Sequence, residues 1–343
     1  MPGPWLRRPV TVAVSVLIDG SCLAAAPLLL GLGVLVAVVT GDRRLLIMTR
    51  IFLVYFAREL TTLAACAALW LLSGAGALTG TRTLQALHWR LLGWFVGGVA
   101  GAVQRELELR VVQEAGSATA AEALAGTAPL LVFSRHAGPA DTILLIDRLI
   151  FRFGRRPSVV FKQAVALDPA VDLLSGRLPH AVLDLNDPAE ARRAISDTTA
   201  ALGARGVLLL FPEGGNFTAP RRRSVLRSLR RRGLRTAATR AEQLHHVLPP
   251  RPAGAIAALD AAPLADVVFA AHTGLGLAAY PLQIYRELPV RATMHTRMWH
   301  VPRAEVPLDE DGRCAWLNEW WRRIDAWIGD EHADGDTATG AAV

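Results

Sequence analysis

Two short apolar runs, Leu130–Phe133 and Val207–Phe211, each end abruptly at a polar corner, and this constrains the fold more than any other feature of the chain. Both runs have the pattern of a strand buried on its two faces. After the first comes Ser134-Arg135-His136-Ala137-Gly138-Pro139-Ala140-Asp141, and from Thr142 to Phe153 apolar residues then recur at helical spacing. The spacing predicts a strand-to-helix corner. Gly138 lets the backbone turn, Pro139 suits the first helical position, and Asp141 falls in the opening turn, where exposed N–H groups stabilise a carboxylate. The second run stops at Pro212 and delivers Glu213 into a glycine-rich turn with Gly214 and Gly215.

His136 and Asp141 form an H-x-x-x-x-D box. A carboxylate folded back onto one imidazole nitrogen fixes the tautomer and stabilises imidazolium, leaving the other nitrogen to take a proton from a hydroxyl. The box supplies a base without a nucleophile of its own. The plainer reading is a surface histidine followed by a helix-capping aspartate. The second strand end of the same build weighs toward a site.

The pair H-x-x-x-x-D and F-P-E-G resembles the glycerolipid acyltransferase family, which acylates lysophosphatidic acid and related lysophospholipids. The resemblance is widest to the lysophosphatidate and lysocardiolipin acyltransferase branch. It runs from about Gln104 to Ile328 and takes in Leu244–Arg251 and Met294–Pro302. It implies that His136 is the base, Asp141 its partner, and Glu213, with Gly214, part of the acceptor-binding block. The chain departs from the family pattern at four places: Arg135 stands where Asn usually precedes the histidine, and Gly215 where Thr or Ser follows E-G. The block from Gly176 to Asp184 lacks its usual arginine, and Ala271-His272-Thr273-Gly274 replaces the usual Val-Pro. Lys162, Arg177, Arg221, Arg222 and Arg223 are the candidate substitutes for the missing phosphate ligand.

From Leu107 onward short apolar strands alternate with helical segments, near Leu107–Val112, Leu130–Phe133, Val159–Phe161, Ala181–Leu183, Val207–Phe211 and Val267–Ala270. This predicts an α/β domain, its sheet mostly parallel and flanked by helices. Ligands gather at the carboxyl ends of such strands, where His136 and Glu213 both fall. The division expected is residues 1–103 as membrane-associated hydrophobic helices, 104–329 as the acyltransferase domain and 330–343 as a disordered tail, since from Asp330 the chain turns small, polar and acidic.

The first hundred residues explain why 52% of the chain is hydrophobic. Gly20–Gly41 and Leu60–Thr81 carry no charge, and each is long enough for one membrane span of about 20 residues. Arg43, Arg44 and Arg50 lie between them. Positive-inside counting therefore conflicts with Arg7, Arg8 and Arg82 being cytoplasmic, and a re-entrant hairpin entering from the cytoplasm removes the conflict. A cleaved signal peptide led by Arg7 and Arg8 is the rival reading. Leu91–Val103 is too short to cross and suits a helix lying at the interface or packed on the catalytic domain.

Basic residues exceed acidic ones, 37 to 30, yet Lys162 is the single lysine, so a coding bias toward arginine weakens the meaning of any one arginine. Nine arginines and no acid lie in Pro220–Arg240, a solvated face or a surface for phosphate and anionic lipid. No recognition motif accompanies it, so nucleic acid is not an expected partner. Cys22, Cys66 and Cys314 have no paired spacing, so no metal site is expected. His245, His246, His272, His295 and His300 have no acidic partner at a recognisable spacing and read as packing or surface residues, His272 being the one to check. Trp316, Trp320, Ile324 and Trp327 recur at helical spacing and predict a docking face.

The function expected is transfer of a fatty acyl group from acyl-CoA or acyl-carrier protein to the hydroxyl of a lysophospholipid, best matched by 1-acyl-sn-glycerol 3-phosphate. It needs no cofactor. The site is expected at the cell membrane, with the catalytic domain cytoplasmic and membrane lipids as partners. The absence of G-x-S-x-G argues against a serine hydrolase. The alternative is a non-catalytic membrane-binding relative, which the presence of His136, Asp141 and Glu213 argues against.

Overall fold

The protein, a computed structural model, is described over residues 3–184, 186–273, 285, 286, 288, 291 and 293–340. Gly274 and residues 341–343 fall outside these. The chain forms two units, neither continuous in sequence: Met1–Leu109 with Ile143–Ala194 and Leu288–Ala292, and Arg110–Thr142 with Ile195–Glu287 and Thr293–Val343.

Four helices open the chain: α1 (Pro4–Ala24), α2 (Ala26–Thr40), α3 (Arg44–Leu72) and α4 (Arg82–Glu106). The uncharged run Gly20–Gly41 is not one straight helix: the helix breaks at Ala25, and α1 and α2 meet at 58°. Pro27, in the first turn of α2, cannot donate the N–H that would continue α1. The helix near the second uncharged run is displaced as well. It begins at Arg44 rather than Leu60 and ends at Leu72, ahead of Gly74 and Gly76, both at positive φ. Its charges are accommodated along the way: Arg50 pairs with Glu106 at 3.3 Å, and Arg58 donates to the Trp94 carbonyl at 2.7 Å while lying over the indole ring. Among the described residues α3 is the one helix that alone is long and apolar enough to cross a bilayer. In α4 the face of Val96, Val99, Ala100 and Val103 is buried, and it packs on α3.

Arg7 and Arg8 of α1 close on Asp172, at 2.7 and 2.9 Å, so within this unit they serve as counterions for a buried carboxylate. Tyr55 of α3 donates its hydroxyl to Asp168.

The chain then continues as β1 (Arg110–Gln113), α5 (Ala118–Ala125), β2 (Leu130–Ser134), α6 (Pro139–Phe151), β3 (Arg156–Lys162), α7 (Pro169–Ser175), β4 (Ala181–Leu183), α8 (Pro188–Ala200) and β5 (Gly206–Leu210). It closes with α9 (Ala219–Arg231), α10 (Arg235–Glu242), α11 (Pro252–Ala261), β6 (Asp266–His272), β7 (Thr293–Val301) and α12 (Glu310–Gly340). The backbone of α12 stays helical to Gly340, beyond Asp330, where composition predicts disorder.

The strands of the second unit run β1–β7–β6–β2–β5, parallel except for the β6–β7 pair. In the first unit β3 pairs parallel with β4. β2 and β5 are buried at every position, as expected of strands covered on both faces. Trp320 of α12 stacks on Phe269 of β6 at 4.5 Å between ring centroids, and Ile324 and Trp327 are buried beside it, so the tryptophan stripe is a docking face.

Candidate active site

Register brings the site together. β2 pairs with β5 so that Phe133 faces Leu210, and with β6 so that Ser134 faces Ala270. Carried past the strand ends, the same offsets set Glu213, His136 and His272 in one row across three neighbouring parallel strands. A strand's carboxyl end leaves backbone groups without ladder partners, and here they bind across the row. The His136 carbonyl accepts from Phe217 N–H at 2.8 Å. The His136 N–H donates to Glu213 Oε1 at 3.0 Å, and Leu248 N–H donates to Glu213 Oε2 at 2.8 Å. Both oxygens of Glu213 are thus held by backbone amides. Burial pushes this carboxyl up to about 8, although the two N–H groups and the Arg135 charge pull the other way.

Asp141 turns back from the first turn of α6 onto the corner. Its Oδ1 meets His136 Nδ1 at 3.2 Å and the Thr142 hydroxyl at 3.1 Å. Its Oδ2 accepts from Ala137 and Gly138 N–H and from His272 Nε2 at 3.1 Å. Burial would raise this carboxyl, but its hydrogen bonds to His136 and His272 outweigh it and hold the group below the usual carboxylate range. An ionised Asp141 fixes His136 with its proton on Nδ1 and leaves Nε2 as the basic nitrogen. That nitrogen meets no hydrogen-bond partner among the described residues, and the His136 side chain is 22% exposed, with Phe211 packed against its ring. The corner can therefore take a proton from a hydroxyl brought to it, with Asp141 stabilising the imidazolium.

Gly214 adopts φ 66°, and its N–H closes a turn on Phe211 O. A side chain at Gly214 would run into Arg251, and one at Gly215 into Arg221. These two guanidiniums lie over the turn that presents Glu213. Arg221 also bonds Asn216 Oδ1 at 2.8 Å, whereas Arg222 is spent on the Leu244 and Glu242 carbonyls and Arg223 is exposed. Lys162 and Arg177 belong to the other unit. Arg177 donates to the Cys66 carbonyl at 2.8 Å and sits 3.0 Å from His88, which makes it a tie between helices rather than an available cation.

Three histidines read as lacking acidic partners do have them: His272 meets Asp141, His300 meets Asp266 at 2.9 Å, and His295 meets Glu114 and Glu331 at 3.2 and 3.0 Å. Sequence spacing cannot show pairs made across strands. Glu114, His295 and Glu331 present ligand atoms within 4.8 Å of one another, a group able to hold a divalent cation and equally well accounted for by ion pairing. Spacing also missed Arg251, which only the fold returns to Gly214, and Arg135, whose guanidinium is buried against the carbonyls of His272 and His246. Asp325 of α12 captures the N–H groups of His245, His246 and Val247, which sets the loop that carries Leu248 to Glu213.

Residues 115–258 match the family model described as Acyltransferase. No curated protein matches the chain significantly. The crystal structure of the 1-acyl-sn-glycerophosphate (LPA) acyltransferase PlsC from Thermotoga maritima is similar with a TM-score of 0.45 and 13% identity, over 79% of this chain and 98% of that one. At that distance it says nothing about individual residues. The matched stretch, 115–258, holds His136, Asp141 and Glu213 together, and it is this part of the chain that is similar to the acyltransferase family model.

Proposed function

We propose that the protein transfers a fatty acyl group from a thioester, acyl-CoA or acyl-carrier protein, to the free hydroxyl of a lysophospholipid, with 1-acyl-sn-glycerol 3-phosphate as the acceptor. The observation that carries this reading is the His136–Asp141 pair, with Nδ1 tied to the carboxylate and Nε2 open. His136 Nε2 removes the hydroxyl proton as the oxygen attacks the thioester carbonyl. The tetrahedral intermediate collapses with loss of thiolate, and the imidazolium returns the proton to the sulfur. No acyl-enzyme forms. Arg221 and Arg251 lie over the Gly214–Gly215 turn, which supports them as the groups that would receive the acceptor phosphate.

The acceptor is an amphiphile, and the N-terminal helices fit a membrane setting. Trp5, Leu17, Leu28, Val38 and Val39 are largely exposed on α1 and α2, and such an apolar surface calls for lipid or a partner. The bend between α1 and α2 suits a re-entrant hairpin on the cytoplasmic face, with α3 long enough to span.

The test is lipid mass spectrometry after incubating purified protein with a panel of lysophospholipids and either acyl-CoA or acyl-carrier protein. Acylation of lysophosphatidic acid is expected. Release of thiol with no acylated lipid from any acceptor would overturn the reading.

A further inference from the structure

We propose that His272 is a positioning residue for the proton transfer, a third arm that holds Asp141 against His136. This rests on His136 being the base. The two rings sit on opposite oxygens of one carboxylate, His136 on Oδ1 at 3.2 Å and His272 on Oδ2 at 3.1 Å.

His272 cannot share the base's task. Its side chain is 9% exposed against 22% for His136, and its Nδ1 meets no partner among the described residues, so the contact to Asp141 is the ring's one hydrogen bond. Because Asp141 can only accept, Nε2 must carry the hydrogen. Burial keeps the ring below the usual histidine range against the pull of Asp141, which makes it a neutral donor at physiological pH. A neutral donor satisfies Oδ2 without cancelling the carboxylate charge, and the full charge stays available to the imidazolium that forms on His136. An arginine or lysine in the same place would remove that advantage.

His272 is itself fixed from two sides. Its backbone lies in β6 opposite Thr296 of β7, and its carbonyl accepts from Arg135, the residue just before His136. Two departures from the family pattern, Arg135 and His272, thus meet in space, and together they anchor the partner of the base.

The test compares three variants of the full-length protein in acyl transfer to lysophosphatidic acid, with kcat, KM and melting temperature followed together. His272→Leu removes the donor and fills the space. His272→Gln keeps an N–H₂ about as far from the backbone as Nε2. His136→Ala reports on the base. His272→Leu should lose about ten- to a hundredfold in kcat with KM little changed, as expected when a catalytic group is misplaced, and His272→Gln should recover most of it. Wild-type kcat in His272→Leu, or equal loss in Leu and Gln variants alongside a lowered melting temperature, overturns the proposal. If His136→Ala is inactive while His272→Leu is not, this proposal alone fails; an active His136→Ala removes the base reading beneath it. NMR of protein labelled with ¹⁵N-histidine supplies a readout independent of turnover. Among the hydrogen-bonded ring N–H signals, one should be lost in His136→Ala and a different one in His272→Leu, and a spectrum unaltered by His272→Leu overturns the proposal.

Discussion

The backbone N–H of His136 is bonded to the side chain of Glu213, 3.0 Å away at the end of the neighbouring strand. The resemblance assigns Glu213 to the acceptor; its contacts make it a clamp on the base. Glu213→Ala leaves two N–H groups without their acceptor and frees the corner to shift. The loss should appear in kcat, about a hundredfold for a displaced base, with acceptor KM nearly unchanged and a lower melting temperature. A raised acceptor KM at intact kcat would restore the acceptor role.

His136→Ala removes the base itself. Thiol release from acyl-CoA in the presence of lysophosphatidic acid should fall roughly a hundred- to ten-thousandfold. Sedimentation with vesicles should not change. Full turnover in this variant excludes the mechanism.

Arg221→Gln and Arg251→Gln should each lower activity on lysophosphatidic acid on the order of tenfold or more relative to an uncharged monoacylglycerol, the scale of a charge-assisted hydrogen bond. Arg223→Gln, at an exposed position, should do little. Equal decline on both acceptors, reproduced by salt in the wild type, would point instead to general attraction to anionic membranes.

Stability should depend on His180. Its Nδ1 accepts the Val159 N–H at 3.0 Å, and burial lowers the ring to about 4. The folded value lies below the unfolded one, about 6.5, so the unfolded chain binds the extra proton between them. The contribution is therefore complete above pH 6.5 and is lost as pH falls toward 4, at most about 3 kcal/mol. Melting curves across that range should show the decline, and His180→Gln should flatten it. Parallel curves for the two proteins would exclude His180 as the cause.

The parts of this fold written locally were the legible ones. The apolar runs around Leu131 and Leu208, the turn at Gly138 and the carboxylates that follow are each contained in a few consecutive residues, so the corner and the Glu box could be read directly. His272 could not, because no spacing relates it to Asp141; the offset between β2 and β6 does, and only a folded sheet supplies it. Charge-free runs were a poor guide to the helices. The helix α3 keeps Arg50 and Arg58 by giving each a partner, and α1 ends at Ala24 because Pro27 follows, so the charge-free runs do not mark the helix ends. Arginines were least legible: Arg177, Arg221 and Arg222 look alike in sequence and differ entirely in what they hold.

Asp172 bears on how the protein can be handled at the bench. Its side chain is 5% exposed and its two guanidinium partners, Arg7 and Arg8, come from the first eight residues. Trimming α1 to obtain a more soluble preparation would strand that carboxylate, and breaking a buried pair in this way costs about 3–5 kcal/mol. A shortened protein should therefore carry Asp172→Asn, and the two versions should differ in melting temperature in that order, the neutral one higher.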